Sequence, residues 1–188
     1  MLETAGWIFL VMLSMLRADN VTPSQLKAAQ CSLASLSESI AVYATSPDEV
    51  LDLVALGFEE SRFSYRGRLE VSHKGACGIF QQIPKYATPD FVAKPTCKEL
   101  GNPWEATYRA VHQIRKLKRM FPLADRFCHY NSGMKCRLSA RAYVQRVRRY
   151  RKQARRLFFR LPYVYPLTPY LFSQMLQNDC AENTSTVQ

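Results

Sequence analysis

A strongly apolar helical run that ends on a carboxylate and is followed by a glycine-punctuated loop constrains this chain more than any other feature. Val50, Leu51, Leu53, Val54, Ala55, Leu56 and Phe58 are apolar almost all the way round a helix, with only Asp52 interrupting, so the segment reads as the buried centre of a domain. Ser46-Pro47-Asp48-Glu49 marks its start, with Ser46 as N-cap, Pro47 at the first position and Glu49 completing a capping box. Glu60 then falls at the end of the helix, on the rim of a core. There the negative end of the helix dipole and partial burial both disfavour its charged form, raising its pKa toward what a general acid needs near neutral pH.

With 188 residues, 47% of them hydrophobic, the chain is long enough for one well-buried domain and too short for two comfortable ones. Further helices are expected over residues 31–43, 123–129 and 139–156, the last with Tyr143, Val147, Tyr150 and Ala154 at helical spacing. Asn102-Pro103-Trp104-Glu105 repeats the capping chemistry and opens a helix to about Met120, which Pro122 ends. Residues 85–101 read as a loop over a cleft, and residues 64–78 offer room for a small β-hairpin. The class is mostly α. Three parts are expected: an apolar segment and linker over residues 1–30, the domain proper over residues 31–160, and a Pro/aromatic extension over residues 161–188. Pro162, Pro166 and Pro169 forbid a continuous helix in that extension.

Residues 5–16 form an apolar run too short for a membrane-spanning helix, which needs about 20 residues. A signal-peptide core or anchor is placed slightly ahead of a packed N-terminal helix, although Glu3 and the lack of any early Lys or Arg make poor flanks. Six cysteines, at positions 31, 77, 97, 128, 136 and 180, show no C-x-x-C spacing. No metal site is expected from them, and disulfides are expected if the chain is exported. Cys128 and Cys136 bracket Tyr130-Asn131-Ser132-Gly133, where a bridge would pin the loop; the alternative is small buried thiols in a reducing compartment.

Several of these pieces occur in the order of a known pattern. Glu60-Ser61-Arg62-Phe63, then Ser72-His73-Lys74-Gly75-Ala76-Cys77-Gly78-Ile79-Phe80-Gln81-Gln82-Ile83-Pro84, then Tyr130-Asn131-Ser132-Gly133 resemble the E-S-x-F, S-x-x-G-A-x-G-L-M-Q-x-x-P and Y-N-x-G motifs of the bacterial lytic transglycosylase catalytic domain. Asn102-Pro103-Trp104-Glu105 is similar to that family's D-P helix, and Tyr143-Val144-Gln145-Arg146-Val147 to its closing Y-V-x-x-V helix. The resemblance covers residues 33–150. Departures are a longer loop between Phe63 and Ser72, Glu70 in place of a small residue, and Phe80 in place of Met.

The resemblance implies a lysozyme-like (goose-type/lytic transglycosylase) fold and cleavage of the MurNAc-GlcNAc β-1,4 bond of peptidoglycan with formation of 1,6-anhydro-MurNAc ends. Ordinary glycosidases use two carboxylates, and a second one is hard to find here. Glu59 points about 100° away around the helix and reads as solvated or locally paired, while Glu70, Asp90 and Asp125 lack a motif. By resemblance one carboxylate suffices: Glu60 protonates the glycosidic oxygen and then deprotonates the muramic C6 hydroxyl, Tyr130 orients Glu60, and Ser61, Phe80, Gln81 and Asn131 face the substrate. A core aromatic at Tyr130 and a loop-satisfying amide at Gln81 are the plainer alternatives. His73 and His129 read as surface or hydrogen-bonded histidines, and no cofactor is expected.

Ten of the net +11 charges fall in residues 137–160, leaving +1 for the rest of the chain. Arg141, Arg146, Arg148, Arg149, Arg151, Lys152, Arg155, Arg156 and Arg160 surround a helix there. A solvated face and an anionic partner, either an envelope surface or an envelope-spanning assembly, are both open readings. No nucleic-acid motif accompanies the run, and no specific nucleic acid is expected. The expected partner is the glycan strand, and the expected location is the bacterial periplasm or envelope, or a virion. A goose-type-like hydrolase and a non-catalytic glycan or nucleic-acid binder remain the alternatives.

Overall fold

In the computed structural model, residues 2–64, 71–87, 93–121, 126–133 and 135–164 are described. They form seven α-helices: α1 (Leu2–Ala18), α2 (Pro23–Tyr43), α3 (Pro47–Ser61), α4 (Cys97–Leu100), α5 (Pro103–Met120), α6 (Arg126–Ser132) and α7 (Arg141–Val164). Isolated bridges Val71–Cys77 and Cys77–Gln82 are the β-structure among the described residues, and residues 65–70 of the expected hairpin lie outside them.

Residues 5–16, for which an export signal or anchor was the first expectation, lie within α1, a helix packed into the core. Ile8, Val11, Met12, Met15 and Leu16 are fully buried against α2 and α7. No helix among the described residues is long and apolar enough to cross a membrane. The link to α2 is tight: Val21 N–H donates to Leu16 O at 3.2 Å, and Asn20 takes a left-handed φ of 60°. Thr22 then caps α2, its Oγ1 accepting from Gln25 N while Gln25 Oε1 accepts from Thr22 N. This box starts α2 at Pro23, eight residues ahead of the expected Cys31.

α3 starts as its sequence dictates, with Ser46 Oγ accepting from Glu49 N, but the capping box is not closed. Glu49 Oε2 instead accepts from Thr45 N at 2.8 Å, and the carboxylate is clamped by Arg115 of α5. Leu51, Leu53, Val54, Ala55, Leu56 and Phe58 are buried among α1, α2, α5 and α7. Asp52 is buried with them because two arginines meet it: Arg126 of α6 at 2.6 Å and Arg151 of α7 at 2.8 Å. Burial pushes its carboxyl pKa up against the opposing pull of Arg126 and Arg151. This triad ties α6 and α7 to the central helix, and losing one partner of such a buried pair typically costs about 3–5 kcal/mol.

Two other boundaries differ from expectation. α6 continues through Tyr130, Asn131 and Ser132 until Gly133, at φ 72°, ends it; the expected start at residue 123 lies outside the described residues. α7 runs past Arg160 to Val164 and through Pro162, where the missing N–H removes one helical hydrogen bond in a last turn that is ending anyway. The remainder of the Pro/aromatic extension lies outside the described residues.

Disulfides join Cys77 to Cys97 and Cys128 to Cys136, with Cα atoms 5.6 and 5.3 Å apart, and Cys31 is also disulfide-bonded. The Cys128–Cys136 bridge closes the loop that follows α6, as its bracketing position suggested.

Candidate active site

Glu60 is the penultimate residue of α3, and the chain leaves that helix in an unusual way. Arg62, Phe63 and Ser64 are three consecutive non-glycine residues in the left-handed region, at φ 52°, 59° and 52°. Each such residue costs on the order of 1–2 kcal/mol, so the turn persists only because its side chains are anchored. Arg62 donates to Phe58 O at 2.6 Å, to Tyr150 Oη at 3.2 Å and to Asp19 Oδ2 at 2.9 Å. Phe63 is fully buried, seated where Gly57 has no side chain; a Cβ there would lie 3.1 Å from its ring. Ser61 Oγ donates to Ile79 O at 2.7 Å and accepts from Ser64 N at 3.1 Å. The tetrapeptide Glu60-Ser61-Arg62-Phe63 is thus one device: the last three residues stitch the helix end to the following loop and aim the first.

That loop packs tightly. Gly78 takes φ 75°, and a Cβ on it would come within 2.0 Å of Leu100 O, so α4 and the loop meet backbone to backbone. The Cys77–Cys97 bridge holds the same junction. Arg109 of α5 is buried and donates to Ala87 O at 2.8 Å and Ala93 O at 3.1 Å, fixing the two described ends that flank residues 88–92.

The Glu60 carboxyl is mostly enclosed, and burial pushes its pKa up to about 7. A hydrogen bond from Tyr143 Oη to Glu60 Oε1, at 2.5 Å, pulls the other way, the neighbouring Glu59 charge adds to the rise, and Arg146 opposes it. Glu59, 7% exposed, is engaged by Arg146 at 2.7 Å, matching the locally paired reading. Burial, and after it the Glu60 charge, holds the Tyr130 and Tyr143 phenols well above the usual tyrosine range.

The geometry places the other expected site residues as follows. The Tyr130 hydroxyl donates to Phe80 O at 3.0 Å, beside Glu60, and the phenol hydrogen-bonded to the carboxyl is that of Tyr143. Phe80 is fully buried, its ring part of the core. Ser61 spends its hydroxyl on Ile79 O. Gln81 is held at φ 44° with its amide donating to Gly78 O at 3.1 Å. Asn131 is exposed on the last turn of α6. Glu70, Asp90 and Asp125 lie outside the described residues. The sequence places Tyr143 in an apolar stripe and at the opening of the Y-V-x-x-V match but assigns it no role at Glu60; its hydroxyl on the carboxyl is what the fold adds.

His129 is buried, stacked on Phe121 at 3.7 Å, with Nδ1–H donating to Gly133 O at 2.9 Å, while His73 is exposed. Among the described residues no cluster of His, Cys, Asp and Glu could hold a metal. A groove of about 510 Å³ lies between α1 and α2, lined by Leu13, Arg17, Val21, Pro23, Leu26, Lys27 and Gln30, and none of the residues around Glu60 reaches it. Comparison with protein-family models, with characterised proteins and with solved structures finds no match to this chain.

Proposed function

We propose that this chain is a peptidoglycan lytic transglycosylase with a lysozyme-like fold. The observation that carries the proposal is the Glu60 carboxyl, buried at the end of the central helix, poised at about 7 and held by one phenol. With Tyr143 donating to Oε1, the other carboxyl oxygen carries the acidic proton. In the proposed reaction Glu60 gives that proton to the glycosidic oxygen as the muramic C1–O bond breaks. The C6 hydroxyl of the same sugar forms the new bond to C1 and returns its proton to Glu60. No water is consumed and no second carboxylate is needed. Among the described residues, the carboxylate whose charge bears on Glu60 is Glu59, already committed to Arg146, which supports a one-carboxylate mechanism over a two-carboxylate hydrolase.

A pKa near 7 suits a group that must act first as acid and then as base, since both forms are populated at neutral pH. The disulfides fit export to the periplasm or envelope, where the glycan strands are. Mass spectrometry of digested peptidoglycan tests the reading: 1,6-anhydro ends, lighter by one water than reducing ends and free of label from heavy-oxygen water, are expected. Labelled reducing ends would overturn it in favour of hydrolysis, and intact glycan would overturn catalysis altogether.

A further inference from the structure

The cations of α7 divide by what they touch. Arg146 is engaged by Glu59, Arg151 by Asp48 and Asp52, and Arg149 donates to Tyr150 Oη at 3.1 Å while lying over its ring. Arg146 and Arg151 thus belong to the packing of α7 on α3, and Arg149 to a contact within α7. Lys152, Arg155, Arg156 and Arg160 are all exposed, and none meets a carboxylate among the described residues. By helix geometry they lie within about 12 Å along the axis and about 140° around it, on the side opposite Val147 and Ala154, which are buried. In their midst is Phe159, 67% exposed, with the Arg155 guanidinium 5.9 Å over its ring.

A face built only for solvation has no use for an exposed phenylalanine among four cations. The combination suits the boundary of a lipid bilayer, where basic side chains meet headgroup phosphates and an aromatic ring enters the acyl edge. We propose that Lys152, Arg155, Arg156, Phe159 and Arg160 form a docking patch for the surface of an anionic phospholipid bilayer. A single aromatic is a poor platform for stacking successive bases. The disulfides argue the same way, because they persist in oxidising compartments, where lipid and not nucleic acid is the abundant polyanion. The proposal goes beyond the Glu60 chemistry and does not depend on it.

Co-sedimentation of the full chain with vesicles tests it, using phosphatidylcholine alone and phosphatidylcholine mixed with phosphatidylglycerol. Binding is expected only to the mixed vesicles, falling steeply as salt rises from low to physiological levels and beyond. Replacing Lys152, Arg155, Arg156 and Arg160 together by Gln should lower partitioning by about 1,000-fold at low salt and flatten the salt dependence. Phe159→Ala should lower it about tenfold while keeping the salt slope. Thermal unfolding of both variants should match the parent, and the contrast between vesicle types on the unmodified chain tests the patch even if a variant folds poorly. Equal binding to both vesicle types, no binding to either, or an unchanged quadruple variant would overturn the proposal. So would tighter binding to an oligonucleotide or to purified wall sacculi than to mixed vesicles at the same salt. Glu60→Gln should bind mixed vesicles as the parent does, which separates this test from that of the enzymatic reading.

Discussion

Replacing Glu60 by Gln should abolish cleavage and, at alkaline pH, make the protein more stable. The carboxyl has an ordinary value of 4.5 and a value of about 7 in the folded chain, with burial as the leading cause. A raised carboxyl favours folding only while protonated: its contribution is complete below pH 4.5, declines as pH rises, and is gone above about 7. The difference corresponds to about 3 kcal/mol between acid and alkaline conditions, an upper figure because part of the side chain meets solvent. Gln is a neutral stand-in for the protonated acid and can still accept from Tyr143, so the variant escapes this pH-dependent loss. The melting temperature of Glu60→Gln minus that of the parent should therefore rise by roughly 5–10 °C between pH 4 and pH 8.5 for a chain of this size. Differential scanning calorimetry at a series of pH values reads this directly, and the comparison across pH cancels any fixed difference between Glu and Gln. Parallel melting curves over that range would refute the idea that burial holds Glu60 as a near-neutral acid. Activity should follow the same group in the same direction: in the proposed reaction cleavage uses protonated Glu60, so kcat/KM should fall as pH rises above about 7.

Tyr143→Phe removes the donor that favours ionised Glu60, so the alkaline limb of the pH–rate profile should move to higher pH, with kcat down roughly 10–100-fold; an unmoved limb would show that the phenol does not tune the acid. Asp52→Asn leaves Arg126 and Arg151 facing a neutral group and should lower stability by about 3–5 kcal/mol, read from the urea midpoint. Gly78→Ala and Gly75→Ala, both at positive φ, should differ sharply: the first drives a Cβ against Leu100 O and should cost several times the roughly 1 kcal/mol expected of the second, where the space is open. Removing the Cys128–Cys136 bridge by paired Ser substitutions should cost about 2–3 kcal/mol, measured against the intact protein without reductant.

Features that depend on neighbours three or four residues apart were legible in the sequence. Ser46 and Asn102 cap α3 and α5 where their side chains are spelled, because a cap is satisfied by a backbone N–H only two or three residues away. The same local logic put Glu60 at a helix end, and Thr22-Pro23-Ser24-Gln25 carried an equal signal that places the start of α2. What the chain does with those elements was decided by contacts between distant segments. Whether residues 5–16 leave the domain or fill its core depends on the apolar faces of α2 and α7 that receive them, and no local pattern records those faces. Asp52 was an interruption in a hydrophobic run until Arg126 and Arg151, 74 and 99 residues away, made it a junction. Glu60 is held by Tyr143 and not Tyr130 for the same reason: the partner, 83 residues on, is chosen by how α7 crosses α3, while Tyr130 is turned to Phe80 O by the loop beneath it. The basic run shows the division most plainly. Sequence counted ten positive charges, and only packing separated the arginines that hold the fold together from those that face outward, because an ion pair is set by distance in space and a composition has none.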